Sequence, residues 1–106
     1  MSTVLTLLYP IPAAGPEAFD FDYYLNKHIP LAREAWSKYG LTKWAAVKLA
    51  PETGYSLQTI ITWESPQSVG RAMKEAGAEV MADLKNFSTE KPVVIQGVVA
   101  AGTLVE

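Results

Sequence analysis

The spacing of the apolar residues changes four times along this chain, and the order of the changes restricts the folds that it can adopt. Residues 4–9 are apolar apart from one threonine, which is typical of a β-strand. Residues 10–16 contain three prolines and a glycine and predict a loop. Apolar residues then recur at helical spacing over residues 25–39, with Asp20 as the predicted N-cap and Gly40 as the predicted C′ residue. This part of the chain therefore predicts a strand, a loop and a helix.

The middle of the chain predicts a hairpin followed by a second helix. Residues 44–49 and 55–63 are rich in β-branched and aromatic side chains, and residues 51–54, Pro-Glu-Thr-Gly, are typical of the turn between two strands. Ser65-Pro66 then supplies an N-cap and a proline at the first helical position. Helical spacing of apolar residues continues from there to Phe87, which predicts a long second helix.

The order of elements predicts a ferredoxin-like fold. Gly77 is a candidate for a break in the second helix, and Val93 to Ala101, almost continuously apolar, predicts a fourth strand. The order is then strand, helix, strand, strand, helix, strand. With right-handed crossovers it gives an α+β domain in which a four-stranded antiparallel sheet carries both helices on one face.

The first and fourth strands are apolar on both faces. An antiparallel sheet with one solvated face should alternate apolar and polar residues, and these two strands do not. The residues concerned are Val4, Leu5, Leu7 and Leu8 in the first strand and Val93, Val94, Ile95, Val98 and Val99 in the fourth. We therefore expect a second sheet, from an identical chain, to cover the free face and form a homodimer.

Length and composition exclude several classes of protein. The 106 residues suit one domain, residues 1–106, and 49% of them are hydrophobic but only 19% charged, which also favours a homo-oligomer. The net charge is -2 and there is no basic cluster, so we expect neither a nucleic-acid nor a membrane partner. The apolar run from Val4 to Leu8 is too short to span a membrane and is predicted to be a strand. Without cysteine, and with one histidine, no metal site is expected, and a cytoplasmic location is compatible with this composition.

His28 is the best candidate for chemistry, because an imidazole gives or takes a proton near neutral pH. Tyr24 lies one helical turn before it, so that the two side chains share a face of the first helix. Pro30 cannot bond the carbonyl of Asn26 and disfavours helical dihedral angles at Ile29, which predicts that the helix divides into two pieces. The alternative is that His28 is a core residue whose hydrogen bonds are satisfied without any catalytic role.

Aromatic side chains could line an apolar pocket near this histidine. The candidate substrate-binding residues are Tyr9, Trp36, Trp63 and Phe87, with Trp44 as a further aromatic, and for most of them we favour a place in the core or in a dimer interface. Asp20 and Asp22 fit the first turn of a helix, where carboxylates stabilise the helix dipole. Asn86 and Ser88 are expected to form a turn before the last strand. Glycine motifs for phosphate are absent, so nucleotide chemistry is not expected.

Three segments carry a recognisable pattern: Leu8-Tyr9-Pro10, residues 18–32 with Tyr-Tyr-x-x-x-His-x-Pro-Leu, and residues 82–88 with Asp-x-x-Asn-Phe. In these segments the chain resembles the EthD family, which is named for a protein linked to degradation of ethyl tert-butyl ether. The resemblance implies a dimeric α/β barrel with a ligand cleft between the first helix and the sheet. It implies less about activity, because the superfamily spans cofactor-free monooxygenases, lactone isomerases, polyketide cyclases and haem enzymes.

Two classes of function remain open from the sequence. One is a cofactor-independent enzyme of catabolism or secondary metabolism with oxidoreductase-type or isomerase- and cyclase-type chemistry on a hydrophobic substrate. In it, His28 is the general acid or base and Tyr24 the orienting group, no cofactor is needed, and haem is left open. The other is a non-catalytic dimeric protein that binds small molecules or acts as an accessory.

Overall fold

Four strands and two helices make up the part of the chain that this computed structural model describes, residues 2–102. The strands are β1 (Thr3–Pro10), β2 (Leu41–Lys48), β3 (Tyr55–Trp63) and β4 (Val93–Val98). Helix α1 covers residues 21–36 and consists of Phe21–Tyr23, a π-helical part Tyr24–His28, and Ile29–Trp36; helix α2 is Pro66–Ala82. Neither helix in this part of the chain has the length and apolar character that crossing a bilayer requires.

The strands form one antiparallel sheet in the order β2-β3-β1-β4. Leu5 of the central strand β1 lies opposite Ile61 of β3 and Gln96 of β4, which sets the register across three strands. This topology is the predicted α+β ferredoxin-like arrangement, and the predicted fold class is confirmed. It places the first and last elements of the sequence side by side.

The core lies between the two helices and one face of the sheet. Alternate residues of β1 are buried, as a strand with its side chains on opposite faces requires. The buried hydrophobic residues include Leu5, Leu7 and Tyr9 from β1, Leu57, Ile61 and Trp63 from β3, Tyr24, Ile29, Ala32 and Trp36 from α1, and Val69, Ala72 and Val80 from α2. Burial of this apolar surface fixes the helices over β1 and β3.

The helix starts follow the sequence prediction. The Asp20 carboxylate accepts a hydrogen bond from the backbone N–H of Tyr23 at 3.0 Å. The Ser65 hydroxyl accepts one from the backbone N–H of Ser68 at 3.2 Å. Both caps satisfy donors that the first helical turn leaves free. Gly40 adopts a φ of 103°, in the left-handed region, and leads directly into β2. Strand β2 therefore begins at Leu41, three residues before the predicted start.

The expectation that Pro30 divides the first helix is wrong in one respect. Ile29 has helical dihedral angles, φ -59° and ψ -48°, so the helix passes through the proline without a break. The change is in the hydrogen bonding, because the N–H of Ile29 donates to the carbonyl of Tyr24, five residues earlier. A π-helical segment of this kind is wider than an α-helix, and such segments are frequent at functional sites. His28 is its last residue.

The second helix and the fourth strand also differ in detail from the sequence expectation. Helix α2 is kinked at Ala76, with φ -142° and ψ 18°, one residue before the glycine predicted as a break. The carbonyl of Ala76 accepts a hydrogen bond from Trp36 Nε1 at 3.1 Å, which ties the kink to α1. Strand β4 ends at Val98, three residues before Ala101.

The second face of the sheet carries no helix of residues 2–102. The register places these large apolar side chains on it: Val4, Leu8, Val47, Ile60, Val93 and Ile95, and we call this set the free face. Ile95 is 54% exposed, and every residue of β4 is exposed in the monomer. An apolar sheet face of this kind is typical of a surface that a partner covers.

Candidate functional site

His28, the last residue of the π-helical part of α1, is buried against the turn that follows α2. Its side chain is 7% exposed, and its Nδ1 lies 2.9 Å from Oδ2 of Asp83, whose side chain is 12% exposed. Asp83 is the first residue of a 3₁₀ turn, Asp83–Asn86, that ends α2. The π-helical end of α1 and this turn therefore bring together a histidine and a carboxylate from distant parts of the sequence.

The other oxygen of Asp83 is also fully engaged. Oδ1 accepts a hydrogen bond from the Tyr23 hydroxyl at 2.6 Å and another from Asn86 Nδ2 at 2.8 Å. Asn86 Nδ2 also lies 3.2 Å from the Tyr23 hydroxyl oxygen. Hydrogen bonds from His28, Tyr23 and Asn86 hold the carboxylate in place, and an ionised carboxylate can accept all three.

The environment keeps His28 uncharged and Asp83 ionised near neutral pH. Burial lowers the pKa of His28 below 6.5, although the hydrogen bond and the charge of Asp83 oppose the change. Burial acts to raise the pKa of Asp83, but the hydrogen bonds from Tyr23, Asn86 and His28 outweigh it and lower that pKa below 3.8. The pair thus combines a neutral imidazole with a fixed carboxylate.

Tyr24 lies on the ring of His28. The two rings are stacked, with centroids 5.2 Å apart and an angle of 26° between their planes. The hydroxyl of Tyr24 is hydrogen-bonded to the hydroxyl of Thr59 on β3. Burial raises the pKa of Tyr24 and also that of Tyr9, whose ring centroid is 5.4 Å away. Both phenols therefore stay protonated at neutral pH and can donate hydrogen bonds.

A small cavity separates this part of α1 from the sheet. Its volume is about 30 Å³, and its lining is apolar apart from the polar groups of His28, Tyr24, Tyr9, Trp36 and Thr59; the remaining lining residues are Leu7, Ile29, Ala32, Ile61, Val80 and Met81. This volume is enough for about one water molecule. Met81 is 44% exposed, so it forms the part of the wall nearest to solvent. A larger ligand would have to displace this flexible side chain.

The structure brings four of the six predicted site residues together around the cavity: Tyr9, Tyr24, His28 and Trp36. Trp63 is fully buried and packs on Trp36 with ring centroids 5.7 Å apart, behind the cavity wall. Phe87 contacts His28 from the other side, at 4.6 Å between centroids, and is not in the lining either. Trp44 lies elsewhere, exposed on β2 with Arg33 over its ring.

Asp83 is the residue that sequence reasoning missed. Asp20 is the helix N-cap, as its sequence position predicted. Asn86 lies in a turn and also donates a hydrogen bond to Asp83. The hydroxyl of Ser88 accepts a hydrogen bond from the backbone N–H of Glu90. Two signals pointed to Asp83. It begins the Asp-x-x-Asn-Phe segment, and a neutral buried histidine usually needs a carboxylate or carbonyl to orient it.

A wider groove of about 770 Å³ is open to solvent between α1 and β2. Arg33, Glu34 and Lys43 contribute to its walls, and all three side chains are exposed. The single histidine of the chain lies at the smaller cavity and not in this groove. The smaller cavity at His28 is therefore the better candidate for chemistry.

No group of three or more His, Cys, Asp or Glu side chains within residues 2–102 could hold a metal ion. Haem does not fit beside His28, because a cavity of about 30 Å³ is far smaller than a porphyrin. The residues at the site can hold and move a proton without either group.

Solved structures with the same fold cover nearly the whole chain. An EthD-like protein from Ralstonia eutropha has a TM-score of 0.83 and 20% identity, and the match covers 97% of this chain and 96% of that one. A dimeric ferredoxin-like protein from an uncultured marine organism has a TM-score of 0.71 and 15% identity, with 98% and 99% covered. SnoaB from Streptomyces nogalater, a cofactor-independent oxygenase, has a TM-score of 0.59 and 16% identity, with 99% and 97% covered.

Comparison of the sequence with protein-family models and with curated proteins gave no match. The likeness to the solved structures is therefore one of fold, at identities of 15–20%. The segments that carried the resemblance in the sequence, around Tyr24, His28 and Asp83, are those that the fold brings together. The chain has the fold of an EthD-like protein, as its sequence predicted.

Proposed function

We propose that this protein is a small-molecule enzyme that transfers protons on a hydrophobic substrate, with His28 as the general acid or base. One observation carries the proposal: the single histidine of the chain borders an apolar cavity, with Nδ1 bonded to Asp83 and Nε2 left without a hydrogen-bond partner within residues 2–102. A neutral imidazole with one free nitrogen can accept a proton from a bound substrate and return it.

The neighbouring side chains have separate roles in this proposal. The phenol of Tyr24, kept protonated by burial, donates a hydrogen bond to the oxygen that gains negative charge when the substrate loses its proton. Tyr9 and Trp36 form the walls of the cavity, while Trp63 and Phe87 support Trp36 and His28 from behind. The apolar lining favours a hydrophobic substrate.

The same proton transfer serves two reaction types. His28 takes a proton from a C–H group, and the electron pair stays on the substrate as a carbanion. Return of the proton at another atom gives isomerisation. Attack of the carbanion on a carbonyl carbon of the same molecule closes a ring, and the alkoxide formed takes the proton back from His28. Oxidation of the carbanion by dioxygen forms a C–O bond without a cofactor, and the peroxide anion formed takes the proton from His28. A neighbouring fold, SnoaB, is a cofactor-independent oxygenase, which supports a cofactor-free mechanism. A cytoplasmic setting in catabolism or secondary metabolism is our expectation from the sequence.

We further propose that the protein acts as a homodimer in which the free faces of two sheets pack together as a dimeric α/β barrel. The free face is apolar, and every residue of β4 is exposed in the monomer. A neighbouring fold is a dimeric ferredoxin-like protein, which supports this assembly. Pairing two such faces would remove the exposed apolar surface from water.

A non-catalytic binding or accessory role is the alternative that the sequence also left open. A cavity of about 30 Å³ is too small for a substrate, so binding of any larger molecule requires Met81 or its neighbours to move. A protein that only binds an apolar molecule would use the same walls without any proton transfer.

A two-stage experiment separates these functions. A screen of hydrophobic compounds read by thermal shift identifies ligands, because binding to the folded state raises the melting temperature. Each ligand is then followed by proton NMR in D₂O. An enzyme that removes a proton exchanges an acidic C–H of the ligand for deuterium, and His28→Gln should slow this exchange at least about a hundredfold. Asn26→Ala, at an exposed position of the same helix, is the control. Ligands that bind but exchange no faster than in buffer would instead show a binding protein.

A further inference from the structure

We infer that Asp83 is a positioning residue that fixes His28 in the tautomer with its proton on Nδ1, so that Nε2 is the nitrogen that meets the substrate. The inference rests on the proposed function for its catalytic meaning. The tautomer itself is a property of the protein alone, and it can be tested without any ligand.

The hydrogen-bond geometry fixes the direction of the proton. An ionised carboxylate can only accept hydrogen bonds, so a contact of 2.9 Å between Asp83 Oδ2 and Nδ1 requires a proton on Nδ1. The other tautomer would place the lone pair of Nδ1 against the carboxylate and leave a buried oxygen without a donor. A carboxylate that orients an imidazole in this way leaves Nε2 as the basic nitrogen.

Tyr23 and Asn86 make this arrangement rigid. Both donate to Oδ1 of Asp83, at 2.6 and 2.8 Å, so the carboxylate cannot rotate away from His28 without losing two hydrogen bonds. Tyr23 belongs to the first turn of α1, whereas Asn86 ends the turn after α2. The network therefore joins the two helices at the place where both contribute to the cavity.

The charged and titratable groups around the ring are few. Asp83 comes from the turn after α2, Tyr24 from the same helix as His28, and Tyr9 from β1 across the cavity. Both phenols are neutral at physiological pH because burial raises the pKa of each. Asp83 is thus the one charged group within the described residues that contacts the imidazole.

The test uses ¹⁵N NMR of histidine-labelled protein, where the single histidine gives one pair of ring nitrogens. In the neutral form of the natural protein, Nδ1 should show the shift of a protonated nitrogen and Nε2 that of an unprotonated one. Asp83→Asn, whose amide can also donate, should move population to the other tautomer and lower the pKa of His28 further, because a stabilising negative charge is gone. Asp22→Asn removes an exposed charge from the same helix and should leave both readouts unchanged.

Tyr23→Phe keeps the carboxylate and tests the inference should Asp83→Asn fail to fold. It removes one donor from Asp83, so the carboxylate becomes a stronger acceptor; the Nδ1 tautomer should persist and the pKa of His28 should rise. A dominant Nε2-protonated form in the natural protein, or an unchanged tautomer and pKa in Asp83→Asn, would overturn the inference.

The effect of Asp83 on activity is measured in a separate experiment. Asp83→Asn should slow deuterium exchange of a bound ligand about a hundredfold, with the midpoint of the pH–rate profile moving in the same direction as the pKa of His28. If the tautomer is as stated but no ligand exchanges in any variant, the proposed function fails and the positioning of the ring stands.

Discussion

Asp83 and His28 are 55 residues apart in the chain, yet Asp83 Oδ2 lies 2.9 Å from His28 Nδ1. The contact depends on both helices at once, since His28 ends the π-helical part of α1 and Asp83 opens the turn after α2. Burial keeps the single histidine of a mostly apolar core uncharged, and the contact with Asp83 orients its ring.

Replacing His28 by alanine should lower the free energy of unfolding by about 1–3 kcal/mol, because Asp83 loses one of its donors and a void replaces the ring. Equilibrium urea unfolding measures the change. Lys27→Ala, at the exposed neighbouring position, should have little effect. Equal losses in the two variants would argue against a specific role for the imidazole in the fold.

The stability of the protein should fall in two steps as the pH is lowered. The pKa of His28 is lower in the folded than in the unfolded state, so the unfolded chain binds a proton first and stability declines from about pH 6.5 downward through the folded pKa of His28. The lowered pKa of Asp83 adds a second loss that begins near pH 3.8 and continues through its folded pKa. Urea unfolding at a series of pH values measures both steps, and His28→Gln should remove the first step while a second step remains.

The free face predicts a dimer at micromolar protein concentration. The contact should bury more than about 1,000 Å² in total, and Ile95→Glu should produce monomers by placing a charge in it. Analytical ultracentrifugation measures the mass. Ala78→Glu, exposed on the opposite side of the molecule on α2, should remain dimeric. A natural protein that sediments as a monomer at this concentration would remove the case for sheet pairing.

Met81→Ala should enlarge the cavity beside His28 and allow a small apolar probe such as benzene to enter. Binding would raise the melting temperature of the variant in the presence of benzene, with a smaller rise or none in the natural protein. Met73→Ala makes the same substitution outside the lining and serves as the control. An equal response in both variants would show that Met81 does not form the outer wall.

Titration with haemin should give no specific Soret shift, because the cavity beside His28 is too small for a porphyrin. Absorbance spectra of the natural protein and of His28→Ala provide the comparison. A band that grows with the natural protein and is lost in the variant would show that the helix opens far enough to expose the imidazole.

The local elements of the fold were predictable from the sequence because their causes are local. The caps at Asp20 and Ser65, the left-handed Gly40 and the spacing of apolar residues in each element depend on neighbours within a few positions. Together with the handedness of crossovers, they were sufficient for the ferredoxin-like topology. They also placed Tyr24 one turn before His28 on the same helix face.

The partner of His28 and the form of the helix around it were decided by tertiary packing. Nothing in local spacing joins residues 28 and 83, since their contact exists only when both helices lie on the same sheet face. Tyr9 and Trp36 line the cavity, whereas Trp63 and Phe87 lie behind its wall. The sequence could not separate these aromatic residues, because the direction of each side chain depends on the element packed against it. The helix also continues through Pro30 because a π-helical turn, held in the packed core, accommodates the missing N–H.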